Sequence, residues 1–178
     1  MDVQLIPFAE QHVAELAPMI DDPEVARFTR FPTPAPADFS ATLFSRYDAG
    51  RAEGSRELFA AVDPASGRLL GIGLAPHIDP EARELELGYL VGQADRGRGV
   101  ATAMLRQLTD WAFEACAAIR VGLMIDVQNV ASRKAAERCG YLLEGTMRNT
   151  YVKPGRRADV QVWSRLVTDP PPSPAGPA

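Results

Sequence analysis

Three short segments of β type follow one another between residues 57 and 91, and the links between them are very short. The links, "PASG" at 64–67 and "DPEAR" at 79–83, are rich in turn-forming residues. Links of this length join antiparallel strands, whereas the return to a parallel strand needs about a dozen residues or more. The chain is therefore predicted to contain an antiparallel meander made of "ELFAAVD", "RLLGIGLAPHI" and "ELELGYLV".

The segments after the meander alternate between helix and strand. Apolar residues recur at helical spacing from Val100 to Ala115, which predicts a long helix and hence one parallel crossover. The strand "VGLMIDV" follows, then a helix with Asn129 as its cap and Gly140 as its terminator, and two closing strands. An opening strand and three helices precede the meander, and Asp22 is the predicted cap of the second of these helices. This order predicts an α+β fold, a mixed and mostly antiparallel sheet with packed helices.

Length and composition fit one domain. The chain has 178 residues, and its apolar share of 46% is enough for a hydrophobic core. We assign residues 1–167 to a single domain and predict that the proline-rich residues 168–178 are disordered.

Charge and residue usage argue against several classes of function. The formal net charge is -4, whereas a nucleic-acid-binding domain carries a basic excess, so no nucleic-acid partner is expected. The N-terminal segment has no continuous apolar run, which argues against a signal peptide or a membrane span. Cys116 and Cys139 form no metal-binding pattern, and His12 and His77 are far apart. We expect a cytoplasmic protein with reduced thiols and no metal.

The segment "RGRGVATAML", residues 96–105, places two glycines and two arginines at the start of the long helix. Glycines let the backbone turn its amides toward a ligand, and a helix start contributes unpaired N–H groups and the positive end of its dipole. Arg96 and Arg98 add positive charge. Together these features predict an anion site suited to a diphosphate.

Other interpretations of the glycines compete with an anion site of this kind. The simplest is a surface turn with solvated arginines. A P-loop does not fit, because no Gly-Lys-Ser/Thr follows. A dinucleotide fingerprint fits in part, with Thr102 in place of the third glycine and Asp126 as the ribose-binding acid. A dinucleotide domain, however, opens with a β-α-β unit, whereas this segment follows antiparallel strands.

Residues 96–101, "RGRGVA", also resemble the acyl-CoA signature of the GCN5-related N-acetyltransferases (GNAT), with Arg96, Gly99 and Ala101 at the characteristic positions. Residues 129–149, "NVASRKAAERCGYLLEGTMRN", resemble the Asn-x-x-Ser … Gly-aromatic … Glu-Gly … Arg segment of the ribosomal-protein N-terminal acetyltransferases, the RimJ/RimL-like branch. The strands "ELGYLVG" and "GRRADVQVWSRL" resemble further motifs of that branch.

The resemblance implies a GNAT-type sheet in which the strands at 84–91 and 120–126 splay apart, with the pantetheine arm of acetyl-CoA between them. It implies that a backbone N–H around Val91 stabilises the oxyanion, and it implies no metal. The pyrophosphate is expected on the amides from Arg96 to Ala101. The implied coenzyme contacts are Leu90, Val91, Arg96, Gly97, Arg98, Gly99, Val100, Ala101, Thr102, Asn129 and Ser132.

The resemblance also bears on the catalytic groups. Many family members protonate the departing thiolate with a tyrosine at the position of Ala136, and the RimJ/RimL-like branch substitutes the serine of Asn-x-x-Ser, here Ser132. A first-turn serine that only satisfies local amides is the alternative. Glu86 is the candidate base that takes the proton of the amine through water. The alternation of Glu84 and Glu86 could equally be a solvated or salt-bridged strand face.

A site without a strong base favours an amine of low pKa. Near pH 7.4 a lysine ε-amine with pKa ~10.4 is about 0.1% neutral, whereas an α-amine with pKa ~7.7 is about one-third neutral. The acceptor is expected to contact the loop at 28–36 and the segment at 148–157. The candidate contacts, for which ordinary packing is the alternative, are Phe28, Phe31, Arg148 and Tyr151.

These observations predict an acetyl-CoA-dependent N-acetyltransferase, with a protein or peptide N-terminal α-amine as the favoured acceptor. Two alternatives stay open: an acyltransferase for a small amine such as an amino acid, polyamine or antibiotic, and a sensor that binds acyl-CoA without turnover. Another acyl group, such as succinyl, also stays open. The expected partners are the acyl-CoA and the amine, without a membrane, and the chain is expected to be a monomer or a homodimer.

Overall fold

The computed structural model describes residues 2–153 and 156–172, without the side chains of residues 151–153. The strands are β1 (Gln4–Pro7), β2 (Glu57–Val62), β3 (Leu69–Asp79), β4 (Glu84–Val91), β5 (Arg120–Asp126), β6 (Leu142–Lys153) and β7 (Arg156–Leu166). The helices are α1 (Val13–Ile20), α2 (Pro23–Phe28), α3 (Phe39–Ala52), α4 (Val100–Glu114) and α5 (Val130–Arg138), with 3-10 turns at Glu10–His12 and Gln93–Asp95.

The strands form one 7-stranded sheet in the order β1-β2-β3-β4-β5-β7-β6. The meander β2-β3-β4 is antiparallel, because its links are too short for a crossover. The pair β4 and β5 is parallel, and α4 connects its two strands. The predicted α+β class, with a mixed and mostly antiparallel sheet, is thereby confirmed.

Helix ends lie where polar residues and glycine predicted them. Asp22 Oδ1 accepts a hydrogen bond from the N–H of Glu24 at 2.7 Å and caps α2. Asn129 Oδ1 accepts one from the N–H of Ser132 at 3.1 Å and caps α5. Gly140 follows α5 with a φ of 79°, in the left-handed region that favours glycine.

Two apolar cores hold helices against opposite faces of the sheet. In the first, Met104 and Leu108 of α4 are fully buried against the central strands. In the second, Leu16 of α1 belongs to the same buried cluster as residues of α3, β2 and β3. Adjacent residues of β2 belong to different cores, Ala61 to the first and Ala60 to the second, as alternation along a strand requires.

The ladder between β4 and β5 ends halfway along both strands. It pairs Glu84 to Leu87 with Arg120 to Leu123 and stops there, although β4 continues to Val91 and β5 to Asp126. On their outer edges both strands stay paired to the end, β4 with β3 and β5 with β7. The free halves of β4 and β5 therefore enclose a gap in the middle of the sheet, as the splayed strand pair of the prediction required.

The first residues of the C-terminal segment, for which disorder was predicted, form a turn after β7. Residues 168–172 are described, and Leu166 donates its N–H to Asp169 Oδ2 at 2.8 Å. Pro172 lies within 3.4 Å of the position that a Cβ on Gly140 would take. Residues 173–178 lie outside the described residues.

Candidate active site

Two cavities open on the gap between β4 and β5. The first, which we call the glycine cavity, has a volume of about 360 Å³ and is lined by the turn before α4 and by one face of α5. The second, the aromatic cavity, has a volume of about 410 Å³ and is lined by rings from α2, α3 and the loop between them. The two cavities adjoin, because they share the lining residues Phe28, Thr29, Tyr89, Leu90, Asn129 and Ser132.

The glycine turn presents free backbone to the first cavity. Gly97 and Gly99 have φ values of 73° and 83°, in the region where a residue with a Cβ is strained. A Cβ placed on either glycine would meet nothing within 4 Å, so the space in front of the turn is open. Gly99 has no side chain to cap the first N–H groups of α4. The turn therefore fits a diphosphate, which needs several amide donors at a helix start.

The two arginines of the turn are already engaged by acidic side chains. Arg96 forms ion pairs with Asp22 at 3.2 Å and with Glu24 at 2.8 Å. Arg98 pairs with the buried Asp95 at 3.1 Å, and its side chain does not line the glycine cavity. Acidic side chains of the protein thus take up part of the positive charge that the sequence analysis offered to a diphosphate. The reason is that the fold supplies carboxylates from α2 and from the turn itself.

Two cations of α5 line the glycine cavity instead. Lys134 and Arg138 are both exposed, and neither forms an ion pair within the described part of the chain. The sequence alone did not point to them as site residues. Lys134 and Arg138 are four residues apart, so they lie on the same side of the helix. Ala131 and Ala135 line the cavity as well, which shows that this side of α5 faces the turn.

A hydroxyl pair lies where the two cavities meet. Ser132, in the first turn of α5, has its Oγ 2.8 Å from the Tyr89 hydroxyl of β4. Burial raises the pKa of Tyr89 to about 12, although the hydrogen bond with Ser132 opposes the shift. Ala136 is fully buried one turn after Ser132. Tyr89 was not among the predicted site residues. Its position directly before Leu90, a predicted coenzyme contact, was the sequence feature that could have indicated a place in the site.

The backbone of β4 also faces the gap. Gly92 donates its N–H to Leu70 O at 2.9 Å, and Val91 is paired with Gly71 at the next position of the register. Because hydrogen-bonded positions alternate along an antiparallel ladder, the N–H of Val91 points away from β3 and toward the gap. The carbonyl of Val91 points the same way and accepts from Arg96 Nε at 3.1 Å.

Two carboxylates line the aromatic cavity, and only one of them forms an ion pair among the described residues. Asp126, buried at the end of β5, forms an ion pair with Arg156 at 2.6 Å. Glu86 has no basic partner within 4 Å in the described part of the chain. Glu84, the other acid of this strand face, lies outside the cavity and approaches Arg120 at 3.8 Å. Of these two carboxylates, Glu86 is therefore the one that no basic side chain of the described residues neutralises.

Aromatic rings and two arginines form the outer wall of the aromatic cavity. Phe28 and Phe31, the candidate acceptor contacts of the sequence analysis, both line it, and Phe31 packs edge-on against Phe39 with ring centroids 5.1 Å apart. Arg30 and Arg46 line the same cavity, are exposed, and form no ion pair within the described residues. The wall therefore carries uncompensated positive charge beside apolar surface.

The structure separates Arg148 from the other predicted acceptor contacts. Arg148 is exposed on β6 and lines neither cavity. The prediction differs because β6 is the edge strand beyond β7, and its pairing is irregular between Met147 and Tyr151. The backbone of Tyr151 pairs with Ala158, and its side chain lies outside the described residues.

Metal and membrane features are absent from the described part of the chain. No three or more His, Cys, Asp or Glu side chains come together there as a metal site. None of its helices has the length and apolar character needed to cross a membrane.

Known proteins share both the sequence pattern and the fold. Residues 2–142 match the acetyltransferase (GNAT) domain. YdaF of Bacillus subtilis (strain 168), provisionally named a ribosomal N-acetyltransferase, is 34% identical over 100 residues, which are 56% of this chain and 55% of YdaF. The match thus spans about half the length of that relative, and it supports the resemblance to the RimJ/RimL-like branch.

Solved structures show the same fold at lower sequence identity. RimL, a ribosomal L7/L12 α-N-protein acetyltransferase in complex with coenzyme A, superposes with a TM-score of 0.84 at 19% identity, over 93% of this chain and 94% of RimL. A spermidine N-acetyltransferase from Vibrio cholerae, in complex with CoA and spermine, gives a TM-score of 0.81 at 17% identity, over 94% and 96%. Since the domain match covers most of its length, the chain belongs to the GNAT family of acetyl-CoA-dependent acetyltransferases.

Proposed function

We propose that this protein transfers the acetyl group of acetyl-CoA to the α-amine of a protein or peptide N-terminus. One observation carries the proposal: two cavities of different chemistry meet at the gap between β4 and β5. The glycine cavity suits a diphosphate, and the aromatic cavity offers one unpaired carboxylate to an amine. A donor and an acceptor that enter from opposite sides would therefore react at the shared lining.

The glycine cavity holds the donor in this proposal. The amides from Arg96 to Ala101 bind the diphosphate, and Lys134 and Arg138 of α5 offer charge to the other phosphate oxygens. Acetyl-CoA supplies an acyl group already activated as a thioester. Leu90, Val91 and Asn129 lie beside the gap, where the pantetheine arm is expected.

The groups that the reaction needs lie on the shared lining or beside it: Ser132 lines both cavities, Glu86 lines the aromatic cavity and Val91 lines the glycine cavity. Glu86 accepts the proton of the amine through water, and the N–H of Val91 stabilises the negative oxygen that forms at the acyl carbon. Ser132 donates a hydrogen bond to the departing sulfur. Over one turnover the nitrogen loses one proton and the sulfur gains one, so no proton is left on the protein.

The charge of the aromatic cavity favours an α-amine over a polyamine. A polyamine carries several positive charges, whereas Arg30 and Arg46 present uncompensated positive charge and Arg156 neutralises Asp126. A peptide N-terminus brings a single amine and can bring carboxylates to these arginines. A polyamine is the second candidate, because the unpaired Glu86 would bind one ammonium group and a spermidine N-acetyltransferase shares the fold.

A panel of acceptors tests the proposal. We expect release of CoA thiol from acetyl-CoA with peptides that have a free N-terminus. Matched peptides with a blocked N-terminus and one internal lysine should react at least about 100-fold more slowly at pH 7.4, because the neutral fractions of the two amines differ by about 300-fold. Mass spectrometry of the peptide locates the acetyl group.

Three other outcomes of the panel are informative. Faster turnover of spermidine than of any peptide would replace the proposed acceptor by a polyamine. Turnover of free amino acids alone would indicate a small-molecule enzyme. Tight binding of acetyl-CoA without consumption of any amine would indicate a sensor.

A further inference from the structure

Tyr89 bridges the gap from β4 to α5. Its hydroxyl oxygen lies 2.8 Å from Ser132 Oγ and 3.4 Å from the main-chain oxygen of Ser132. Both residues line the glycine cavity and the aromatic cavity. The hydroxyl pair therefore lies at the place where the proposed donor and acceptor meet.

Among the residues that line both cavities, Ser132 has the hydroxyl group whose hydrogen can turn toward a ligand. Of the six shared lining residues, three carry a hydroxyl: Thr29, Tyr89 and Ser132. Thr29 Oγ1 donates to Val25 O at 2.7 Å, within the end of α2. In the described part of the chain, the acceptors within hydrogen-bonding distance of the Tyr89 hydroxyl both belong to Ser132.

The direction of the bond between the two hydroxyls decides what Ser132 can do. If Ser132 donated to Tyr89, its single hydrogen would be used within the protein. If Tyr89 donates, the hydrogen of Ser132 stays free to face the cavity. A phenol is the better donor of the two, because its ordinary pKa of ~10 lies far below that of an aliphatic alcohol. Burial raises the pKa of Tyr89 to about 12, so the phenol keeps its proton at any pH of an assay.

We propose that Tyr89 is a positioning residue, whose O–H donates to Ser132 Oγ and thereby turns the hydrogen of Ser132 toward the departing sulfur. This inference rests on the proposed function. In the step concerned, a C–N bond forms and the C–S bond breaks. The proton lost by the acceptor nitrogen ends on the sulfur, and both hydroxyls keep their own protons.

The matched control is a second tyrosine with the same kind of bond. The Tyr141 hydroxyl lies 2.8 Å from Thr109 Oγ1, is buried, and lines neither cavity. Tyr141→Phe therefore removes one buried phenol hydroxyl without touching the junction. It measures what the loss of such a bond does to stability alone.

Steady-state kinetics of Tyr89→Phe, Ser132→Ala and the double variant test the proposal. We expect Tyr89→Phe to lower kcat about tenfold, the scale of one lost hydrogen bond, with KM for acetyl-CoA unchanged within about twofold. Ser132→Ala should lower kcat at least as much. The double variant should be no slower than Ser132→Ala, because Tyr89 acts only through Ser132. Tyr141→Phe should lower the melting temperature and leave kcat unchanged.

Each other outcome overturns a definite part of the account. Two outcomes would overturn the positioning role and leave the proposed function standing. In one, the losses of kcat in Tyr89→Phe and Ser132→Ala multiply in the double variant. In the other, Tyr89→Phe keeps the wild-type kcat although Ser132→Ala loses it. If Tyr89→Phe raises KM for acetyl-CoA and leaves kcat unchanged, Tyr89 contributes to binding of the coenzyme and the positioning role is overturned. If the wild type releases no CoA thiol with any amine, the proposed function fails and this inference fails with it.

Discussion

The backbone of two glycines, rather than the side chains of the neighbouring arginines, gives the turn before α4 its capacity to bind an anion. Arg96 is paired with Asp22 and Glu24, and Arg98 shares the carboxylate of Asp95 with Arg68, so part of their positive charge is balanced within the protein. A Cβ built on Gly97 or Gly99 would meet open space, so no part of the protein covers this side of the turn. Binding of an anion by this turn therefore requires that residues 97 and 99 have no Cβ.

Gly99→Ala tests this dependence. Gly99 has a φ of 83°, and an alanine there costs about 1–2 kcal/mol of stability through backbone strain. The added methyl group also occupies the space in front of the amides. We expect the affinity for acetyl-CoA, measured by isothermal titration calorimetry, to fall about tenfold or more, a loss of about 1.4 kcal/mol of binding free energy or more.

Gly67→Ala separates the loss of affinity from backbone strain. Gly67 lies in the turn between β2 and β3, has a φ of 73°, and likewise meets nothing within 4 Å of an added Cβ. It lines neither cavity. Gly67→Ala should lose similar stability and bind acetyl-CoA as the wild type does. Equal affinities of the two variants would show that the glycine turn does not hold the coenzyme.

Local sequence signals predicted the elements better than the side-chain partners within the site. The caps Asp22 and Asn129 and the terminator Gly140 act over a few residues, so they can be recognised without a structure. The contact between Tyr89 and Ser132 joins residues 43 positions apart, and it depends on how α5 packs beside β4. The alternation of residues along a strand does not predict that packing.

The C-terminal strands illustrate the same limit. From the sequence, Arg148 was a candidate acceptor contact, with ordinary packing as the alternative, and the pairing of β6 with β7 is irregular between Met147 and Tyr151. Such a bulge shifts which side chains face the site. Register at an edge strand is set by cross-strand contacts, which a pattern in one segment does not specify.

At the scale of elements, Glu144 connects the last three strands of the sheet. Its carboxylate accepts two hydrogen bonds from Arg120 of β5, each at 2.6 Å, and one from Ser164 of β7 at 2.6 Å. The bonds from Arg120, and then that from Ser164, lower the pKa of Glu144 to about 2. Because the folded value lies below the ordinary value of ~4.3, the contribution to stability is present above that value and is lost as the pH falls toward 2.

Glu144→Gln should therefore make the protein less stable at neutral pH and flatten the acid limb of its stability curve. The measurement is the free energy of unfolding from denaturant titrations between pH 7 and pH 2. Glu137→Gln on α5 is the control, since Glu137 forms no ion pair within the described residues, and it should follow the wild type. The prediction is contradicted if Glu144→Gln and the wild type lose stability in parallel below pH 4.5.

At the scale of the whole molecule, the gap between β4 and β5 connects fold to function. The order of elements, the antiparallel meander and the single parallel pair followed from the lengths of the links in the sequence. The gap itself followed only from the family resemblance, because both strands continue with apolar residues beyond Leu87 and Leu123, and no residue there marks the end of the pairing. Its two cavities, and the charges that distinguish them, depend on residues of α2, α3, α4 and α5 and of the loops beside these helices, and they were accessible only from the structure.

A crystal structure of the protein with acetyl-CoA would show whether the glycine turn holds the coenzyme. We expect density for the diphosphate on the amides of residues 96–101 and the acyl carbon within reach of the Val91 N–H and the Ser132 hydroxyl. Density for the coenzyme at another site, with the glycine turn free of phosphate, would contradict this expectation.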